Sequence, residues 1–483
     1  MAAEAGTRPA HRPLLSLPLS VPLIAAVTAG LPLAVAAQPG EGARDTAFWL
    51  QLTVTAYAGV RLCAMVLSGR RRLVQGVFWL FCYLAMGVAP LAQSVLARDP
   101  TPVLGPREDT QLATVLVLCG MVAFDVGALL ARHRPSLRAR RPPVARVHRR
   151  RLYLLVAFAY LASTVLVLRV GGPAVFFTSR EELGRTLAAA TGGEGAGEAG
   201  NALLRGFGTV PALLALLFLT RWLVTSRDAR RRPAVLLPWL GLLGVNAVVN
   251  NPVTNPRYWF LTVLFALLFT VFPRSPVAYR AALTLGVAGA LLVFPFSDRF
   301  RYQDDGPPAA SLDTGSVLEP LVVKDYDQVN MLANTITYSG DGGGHTYGRQ
   351  LAGAALFFVP RSMWEGKPQD TGFVVGEWMG TDSFNLSSPL WAELWLDFGT
   401  PGMLAGFVLA GYLAARTDRR YVRHTVDDRS PGNVMAVVVP LLAGYSFILL
   451  RGSLLQASGR IAIAALCLAL VTTVRHDRRT ALH

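Results

Sequence analysis

The chain is poor in charged residues, and its basic residues are almost all arginine. Only 16% of the 483 residues are charged, whereas a soluble chain usually carries about 25%. Lysine occurs twice, as Lys324 and Lys367, so the net charge of +16 comes almost entirely from arginine. The four cysteines lie inside apolar runs without a CxxC pair, which argues against a disulfide framework and a zinc site.

Apolar runs of spanning length recur along the whole chain, and a single soluble core does not account for them. No internal repeat is evident, which argues against a transporter built from two similar halves. We therefore expect an all-α polytopic membrane protein with about 12 transmembrane helices. The predicted spans cover about 14–36, 47–68, 73–96, 111–131, 152–170, 205–225, 234–250, 257–273, 279–296, 401–416, 433–450 and 460–474.

Arginine clusters follow every even-numbered span, as in Arg70-Arg71-Arg72 after the second. Cytoplasmic loops collect Arg and Lys, so both termini are expected in the cytoplasm of a multi-pass cell-membrane protein. The alternative, a nucleic-acid partner, is disfavoured because the clusters are short and lie between apolar runs. We expect no nucleic-acid binding.

This topology divides the chain into three parts. Residues 1–296 hold transmembrane helices 1–9, and 401–483 hold helices 10–12 with a cytoplasmic tail. Between them, 297–400 is predicted to be a large extracytoplasmic loop with short amphipathic or re-entrant helices. This loop is the candidate active site, because it is the long segment that is not simply apolar.

Two cations in this loop, Arg361 and Lys367, lie six residues apart beside Trp364. Arg suits bidentate contact with phosphate oxygens, and Lys suits point-charge contact. Pyrophosphate is an anion that such a pair would bind at a membrane. Interfacial anchoring is the alternative interpretation, since basic and aromatic residues are common at the headgroup level.

Further arginines are predicted on the same side of the membrane. Two Asn-Pro pairs break the chain just before Arg257, and this segment is either a tight turn or the irregular floor of a polar cavity. Arg451 and Arg460 bracket the last outer turn without an acidic residue. That turn departs from the positive-inside pattern, so we expect it to have an anionic partner.

The loop closes with Glu393 and Asp397, spaced i, i+4, in register with Trp391 and Trp395. A helix would place both acids on one face beside the tryptophans. One interpretation is a solvated polar face of an interfacial helix. The other makes one carboxylate a general base that takes a proton from a sugar hydroxyl.

These residues carry a family resemblance. The pattern Pro360-Arg361…Trp364…Lys367-Pro368, followed by Ser387–Glu393 and Phe398-Gly399, resembles the oligosaccharide repeat unit polymerases, the Wzy-type O-antigen polymerases, which are related to the O-antigen ligases. The span number and the late external loop are similar too. The resemblance implies a GT-C-like fold built of membrane helices.

The resemblance also implies a reaction, the polymerisation of undecaprenyl-pyrophosphate-linked oligosaccharide repeat units into surface polysaccharide. An acceptor hydroxyl attacks the anomeric carbon of the donor glycan, and the lipid pyrophosphate leaves. No metal, cofactor or nucleotide sugar is implied. The implied partners are the lipid-linked oligosaccharides and the bilayer, with a chain-length regulator and a flippase as further protein partners.

The resemblance implies roles for individual residues. Arginines and Lys367 would contact the pyrophosphate, and Glu393 would be a base or orient a sugar. His345 does not match the external histidine of the ligases. The alternatives are a ligase-like glycan transferase and a lipid-linked sugar transporter or flippase. The expected catalytic residues are Glu393 and Arg361, and the expected substrate-binding residues are Arg257, Lys367, Arg451, Arg180, Trp364 and Asp397.

Overall fold

A computed structural model gives the fold of most of the chain. The start of the first predicted span, the first part of the predicted loop and the end of the cytoplasmic tail lie outside the described residues. The described residues are 17–133, 144–178, 180–190, 197–292, 318–322, 324–381 and 386–475.

The regular structure of the described part is helical, apart from one short two-stranded ribbon. Two π-helical turns, Ala26–Gly30 and Leu84–Val88, join α1 to α2 and α4 to α5. The α-helices are α1 Leu17–Ala25, α2 Leu31–Ala36, α3 Thr46–Ser68, α4 Leu73–Tyr83, α5 Ala89–Leu96, α6 Arg107–His133, α7 Arg149–Arg169, α8 Arg180–Ala190, α9 Gly197–Thr225, α10 Arg227–Arg230, α11 Pro233–Val249, α12 Arg257–Val271, α13 Pro276–Leu292, α14 Gln328–Tyr338, α15 Arg349–Ala355, α16 Thr371–Trp378, α17 Leu390–Asp427, α18 Met435–Arg451 and α19 Leu454–Val471. The strands are β1 Val144–Val147 and β2 Thr472–Arg475, and they pair antiparallel.

Seven helices are long and apolar enough to cross a membrane, by length and composition, if α4 and α5 are counted as one helix through the π-helical turn. Five more, with α1 and α2 counted as one, are shorter and apolar. The structure is 78% helical, so the expected all-α class is confirmed. Apolar side chains also cover outer faces of the bundle. On α7, exposed Leu154, Leu161 and Leu168 recur every seven residues. An exposed apolar stripe of this kind suits a hydrocarbon surrounding better than water.

The connections gather at two ends of the helix bundle. At the basic end, which comprises residues 70–75, 273–275 and 418–433 with β1 and β2, the Tyr421 hydroxyl donates to the Pro273 carbonyl at 3.2 Å. At the loop end, which comprises residues 97–107, 250–257, 318–327 and 451–453, Asn330 donates to Asp99 at 2.8 Å. The Arg-rich connections therefore lie together, apart from the predicted active-site loop.

The α14 helix belongs to the core. It lies within the segment 297–400 that is predicted to be an extracytoplasmic loop, but every residue from Gln328 to Thr337 is buried. Its polar side chains bond to neighbouring backbone instead of water. Asn334 accepts a hydrogen bond from the Leu104 amide at 3.0 Å and donates one to the Pro102 carbonyl at 2.8 Å.

The α6 and α17 helices approach closely at glycines. A β-carbon at Gly411 would overlap the Phe124 carbonyl oxygen, and one at Gly127 would overlap the Val408 carbonyl oxygen. Small residues of this kind allow helix backbones to come into contact. Near the start of α17, Gly399 has φ 62° and ψ −164°, a conformation that is essentially restricted to glycine. The break sets the segment 390–398 at an angle to the rest of α17.

We predict that Gly411→Ala destabilises the protein by about 1–3 kcal/mol, since the new methyl group forces the two helices apart. Thermal unfolding of the purified protein in detergent measures the change. The matched control is Gly244→Ala on α11, where a β-carbon would have no atom within 4 Å. Equal melting temperatures for the two variants would contradict the prediction.

Candidate functional site

An arginine-lined cavity of about 150 Å³ opens at the loop end, where α12 begins, α18 ends and α19 begins. Arg257, Arg451 and Arg460 line it, together with Asp325 and the polar side chain of Gln456. The structure thus brings together three arginines that are distant in the sequence. The first and the last of them are 203 residues apart (460 − 257).

A network of asparagines fixes the position of Arg257. The Asn251 side chain donates to the Phe176 carbonyl at 2.7 Å and accepts from the Thr254 amide at 3.1 Å. Asn255 donates to the Val249 carbonyl at 2.9 Å. These bonds satisfy the backbone that the two Asn-Pro pairs release, and they hold a tight turn. The turn ends at the first residue of α12, Arg257, which is 8% exposed.

Asp325 links two of the arginines. One carboxylate oxygen lies 3.2 Å from Arg257 Nη1, and the other lies 3.2 Å from Arg451 Nη2. Arg451 Nε also donates to the Asp325 carbonyl at 3.3 Å. A single carboxylate therefore joins α12, α18 and the segment that leads into α14.

Aromatic rings support the cationic groups. The Arg451 guanidinium lies 5.2 Å from the Tyr258 ring centre, and that of Arg460 lies 4.5 Å from the Trp259 ring centre. The Trp259 indole N–H donates to Asn250 at 2.8 Å, so the ring is itself fixed by the asparagine network. Cation–π contacts stabilise guanidinium groups that are partly withdrawn from water.

The cavity suits an anion. Three guanidinium groups and one carboxylate line its described wall, which leaves two positive charges (3 − 1 = 2). Guanidinium groups bind phosphate oxygens through paired N–H donors. Among the described residues, no group of three or more His, Cys, Asp or Glu side chains is arranged to hold a metal ion.

The loop cations Arg361 and Lys367 hold the loop together and do not line this cavity. Lys367 Nζ donates to the Phe357 and Val359 carbonyls at 2.6 and 2.9 Å, and Arg361 Nη1 donates to the Lys367 carbonyl at 2.9 Å. Partial burial lowers the pKa of Lys367, and the Arg361 charge acts in the same direction. Trp364, half-buried, accepts the Lys367 backbone N–H through its carbonyl at 3.0 Å.

The Asp397 carboxylate caps the start of α15. It accepts hydrogen bonds from the Thr346 hydroxyl at 2.5 Å and from the Gln350 and Leu351 amides at 3.0 and 2.8 Å. The free N–H groups of a first helical turn require such acceptors. Asp397 therefore fixes the loop to α17, and its oxygens face backbone donors.

Glu393 is also buried, at 3% exposure, and accepts a hydrogen bond from the Ser388 hydroxyl at 2.8 Å. The interpretation of a solvated polar face is therefore wrong for this pair of acids, since α14, α15 and the core enclose the segment. Trp391 is fully buried and packs against Phe407, with ring centres 4.2 Å apart. It is a core residue and offers no free face to a sugar.

Asp370 is a candidate that the sequence analysis missed. Its Oδ1 caps α16 by accepting from the Gly372 amide at 2.9 Å, whereas its buried Oδ2 has no hydrogen-bond partner within the described residues. Burial raises the pKa of this carboxyl, and the adjacent polar groups of Ser453 and Gln456, both of which line the cavity, lower it. In the sequence, an Asp before Thr-Gly indicates only a helix cap, and nothing in that pattern predicts that the carboxyl also lies beside the cavity.

Arg180 begins α8, but its side chain lies outside the described part of the structure. Its role as a pyrophosphate contact stays a prediction. Comparison with models of known protein families, with curated proteins and with solved structures found no match. The resemblance to the oligosaccharide repeat unit polymerases likewise stays a prediction.

We predict that Asp397→Ala destabilises the protein by about 1–3 kcal/mol, because two backbone amides in the first turn of α15 lose their acceptor. Unfolding in detergent measures this loss. Glu377→Ala, which removes an exposed carboxylate on α16, is the matched control and is expected to change stability by less than about 0.5 kcal/mol. A fully stable Asp397→Ala variant would contradict the capping role.

Proposed function

We propose that the chain is a membrane glycosyltransferase that polymerises undecaprenyl-pyrophosphate-linked oligosaccharide repeat units into surface polysaccharide. The observation that carries the proposal is the cavity lined by Arg257, Arg451 and Arg460, in which the first two arginines share the carboxylate of Asp325. In this reaction the leaving group is a lipid pyrophosphate, and its developing negative charge needs preorganised cationic donors. No metal or nucleotide sugar takes part.

The topology that we propose has twelve spans in a GT-C-like arrangement. Seven long and five shorter apolar helices in the described residues provide the spans. Because the Arg-rich connections lie together at the basic end, we assign that end and both termini to the cytoplasm. The cavity at the loop end then faces the extracytoplasmic side of the cell membrane, where lipid-linked repeat units are polymerised.

In the proposed mechanism the arginines hold the pyrophosphate of the donor. Arg257 and Arg451 already face a carboxylate, that of Asp325, and a pyrophosphate would replace it as their anionic partner. Tyr258 and Trp259 hold the guanidinium groups in place during this exchange. Arg361 and Lys367 do not contact the substrate in this scheme. They stabilise the conformation of the loop by donating hydrogen bonds to its backbone carbonyls.

The acceptor hydroxyl needs a base, and Asp370 is the carboxyl that the geometry favours. Its neighbours Ser453 and Gln456 line the cavity and lower the pKa of its carboxyl, which places that carboxyl beside the cavity. The Glu393 carboxyl is close enough to Asp370 for the two groups to interact electrostatically. In this arrangement Asp370 takes the proton, and Glu393 keeps the position of the loop through Ser388.

Two alternatives are a ligase-like glycan transferase, which uses the same pyrophosphate chemistry, and a transporter or flippase. An ion pair inside the bundle, Arg61 with Asp125 at 2.5 Å, is the feature a transporter would use. Tyr57 also donates to Asp125, at 2.6 Å, so both oxygens of this carboxylate already have partners within the bundle. Chain-length analysis separates the enzymes: loss of a polymerase leaves single repeat units, and loss of a ligase leaves lipid-linked polymer.

We predict that Arg257→Gln lowers polymer formation about 100-fold or more, because a cationic donor to the leaving group is lost. Glycan chain-length profiles of cells that carry only the variant measure this, and single repeat units should accumulate. The matched control is Arg98→Gln, which removes an exposed arginine of the same end, 63% exposed. Long glycan made by Arg257→Gln at the normal level would refute the proposal.

We predict that Asp370→Asn lowers polymer formation about 100-fold and leaves the melting temperature unchanged, since Asn also caps helices well. The acidic limb of the wild-type pH profile should lie above the ordinary range of an aspartate, because burial raises the pKa of Asp370 and only the deprotonated carboxylate accepts a proton. Normal activity of Asp370→Asn would remove Asp370 as the base.

A further inference from the structure

Three guanidinium groups also meet at the basic end, away from the candidate active site. Arg71, which follows α3, donates to the Pro273 carbonyl and lies 3.4 Å from the Thr425 hydroxyl. Arg274, which follows α12, donates to the Thr425 carbonyl at 2.6 Å. These two side chains satisfy carbonyls at helix ends and retain further N–H donors.

The third group is Arg221 in the last turns of α9. It is 3% exposed, and its Nε finds no hydrogen-bond partner in the part of the chain that the structure describes. Within the described residues its side chain makes no ion pair, and its electrostatic neighbours are Tyr421, Arg274 and Asp428. A buried, unpaired guanidinium beside another one is unfavourable, which indicates that an anion binds there.

Asp428, the acidic residue among these electrostatic neighbours, does not pair with Arg221. One oxygen of Asp428 accepts the Ser430 amide at 2.8 Å, and the other lies 3.6 Å from Arg146. The adjacent Arg429 adds to the positive charge around Arg274. Positive charge therefore exceeds negative charge around the end of α17.

We propose that Arg71, Arg221 and Arg274 bind the phosphate of an anionic phospholipid headgroup. The helices α3, α9 and α12 all end here, so the site lies at the depth at which apolar helices give way to polar connections. Basic pockets between membrane helices bind headgroups of this class. Exposed Phe272 and Val277 flank Arg274, and they provide an outward apolar surface for the acyl chains, which a free phosphate would not need.

The test uses the full chain in nanodiscs made of phosphatidylcholine, with or without phosphatidylglycerol. Phosphatidylglycerol should raise the melting temperature of the wild type. Arg221→Gln should reduce this gain to less than half. It should also melt at or above the wild-type temperature in pure phosphatidylcholine, because an unpaired buried charge has been removed.

Arg231→Gln, which removes an exposed arginine of the connection between α9 and α11, is the control and should retain the full gain. Arg71→Gln provides a second test if Arg221→Gln does not fold. The proposal is overturned if the Arg221 or Arg71 variant keeps the full gain, or if Arg221→Gln is equally destabilised in both lipids. A stabilisation of the same size by inorganic phosphate in detergent would overturn the lipid assignment.

Discussion

The contact between α6 and α17 determines where the groups of the candidate site lie. Gly127 and Gly411 allow the two backbones to touch, and α6 also packs against the buried α14. One helix therefore supports both the segment that follows Asp325 and the segment that carries Glu393. The Gly399 break then turns residues 390–398 so that Asp397 meets the start of α15. Without this contact, the loop would have no fixed position relative to the bundle.

The cavity depends on a second constraint, the bridge from Asp325 to Arg257 and Arg451. Each arginine lies where an apolar helix begins or ends, and neither would be stable so far from water without an anionic partner. The asparagine network before α12 and the cation–π contacts hold the guanidinium groups in place. A site built in this way is preorganised for an anion and holds a carboxylate of its own chain. The basic end carries a related group of arginines around the end of α17, in which Arg221 makes no ion pair with any residue that the structure describes.

Residue patterns predicted a large part of the fold. Most apolar runs coincide with apolar helices within a few residues, because each run is long and its composition decides its surroundings. The tenth predicted span, 401–416, is the largest exception, since α17 extends from Leu390 to Asp427. Inside the bundle, Arg61 pairs with Asp125, since two charges in an apolar surrounding need each other. The loop was harder to predict. Its polar residues indicate solvent, whereas Asn330 and Asn334 of α14 donate to the backbone carbonyls of Thr101 and Pro102.

The sequence by itself determined the helical class, the apolar helices and the separation of basic connections from the loop, because these depend on local composition. Only the tertiary structure decided which charged side chains share a cavity. Arg257 and Arg451 converge, whereas Arg361 and Lys367 bind loop carbonyls and Asp397 caps a helix. It also revealed Asp370. Convergence and burial depend on contacts between distant segments, and a residue's type or its spacing along the chain does not encode them.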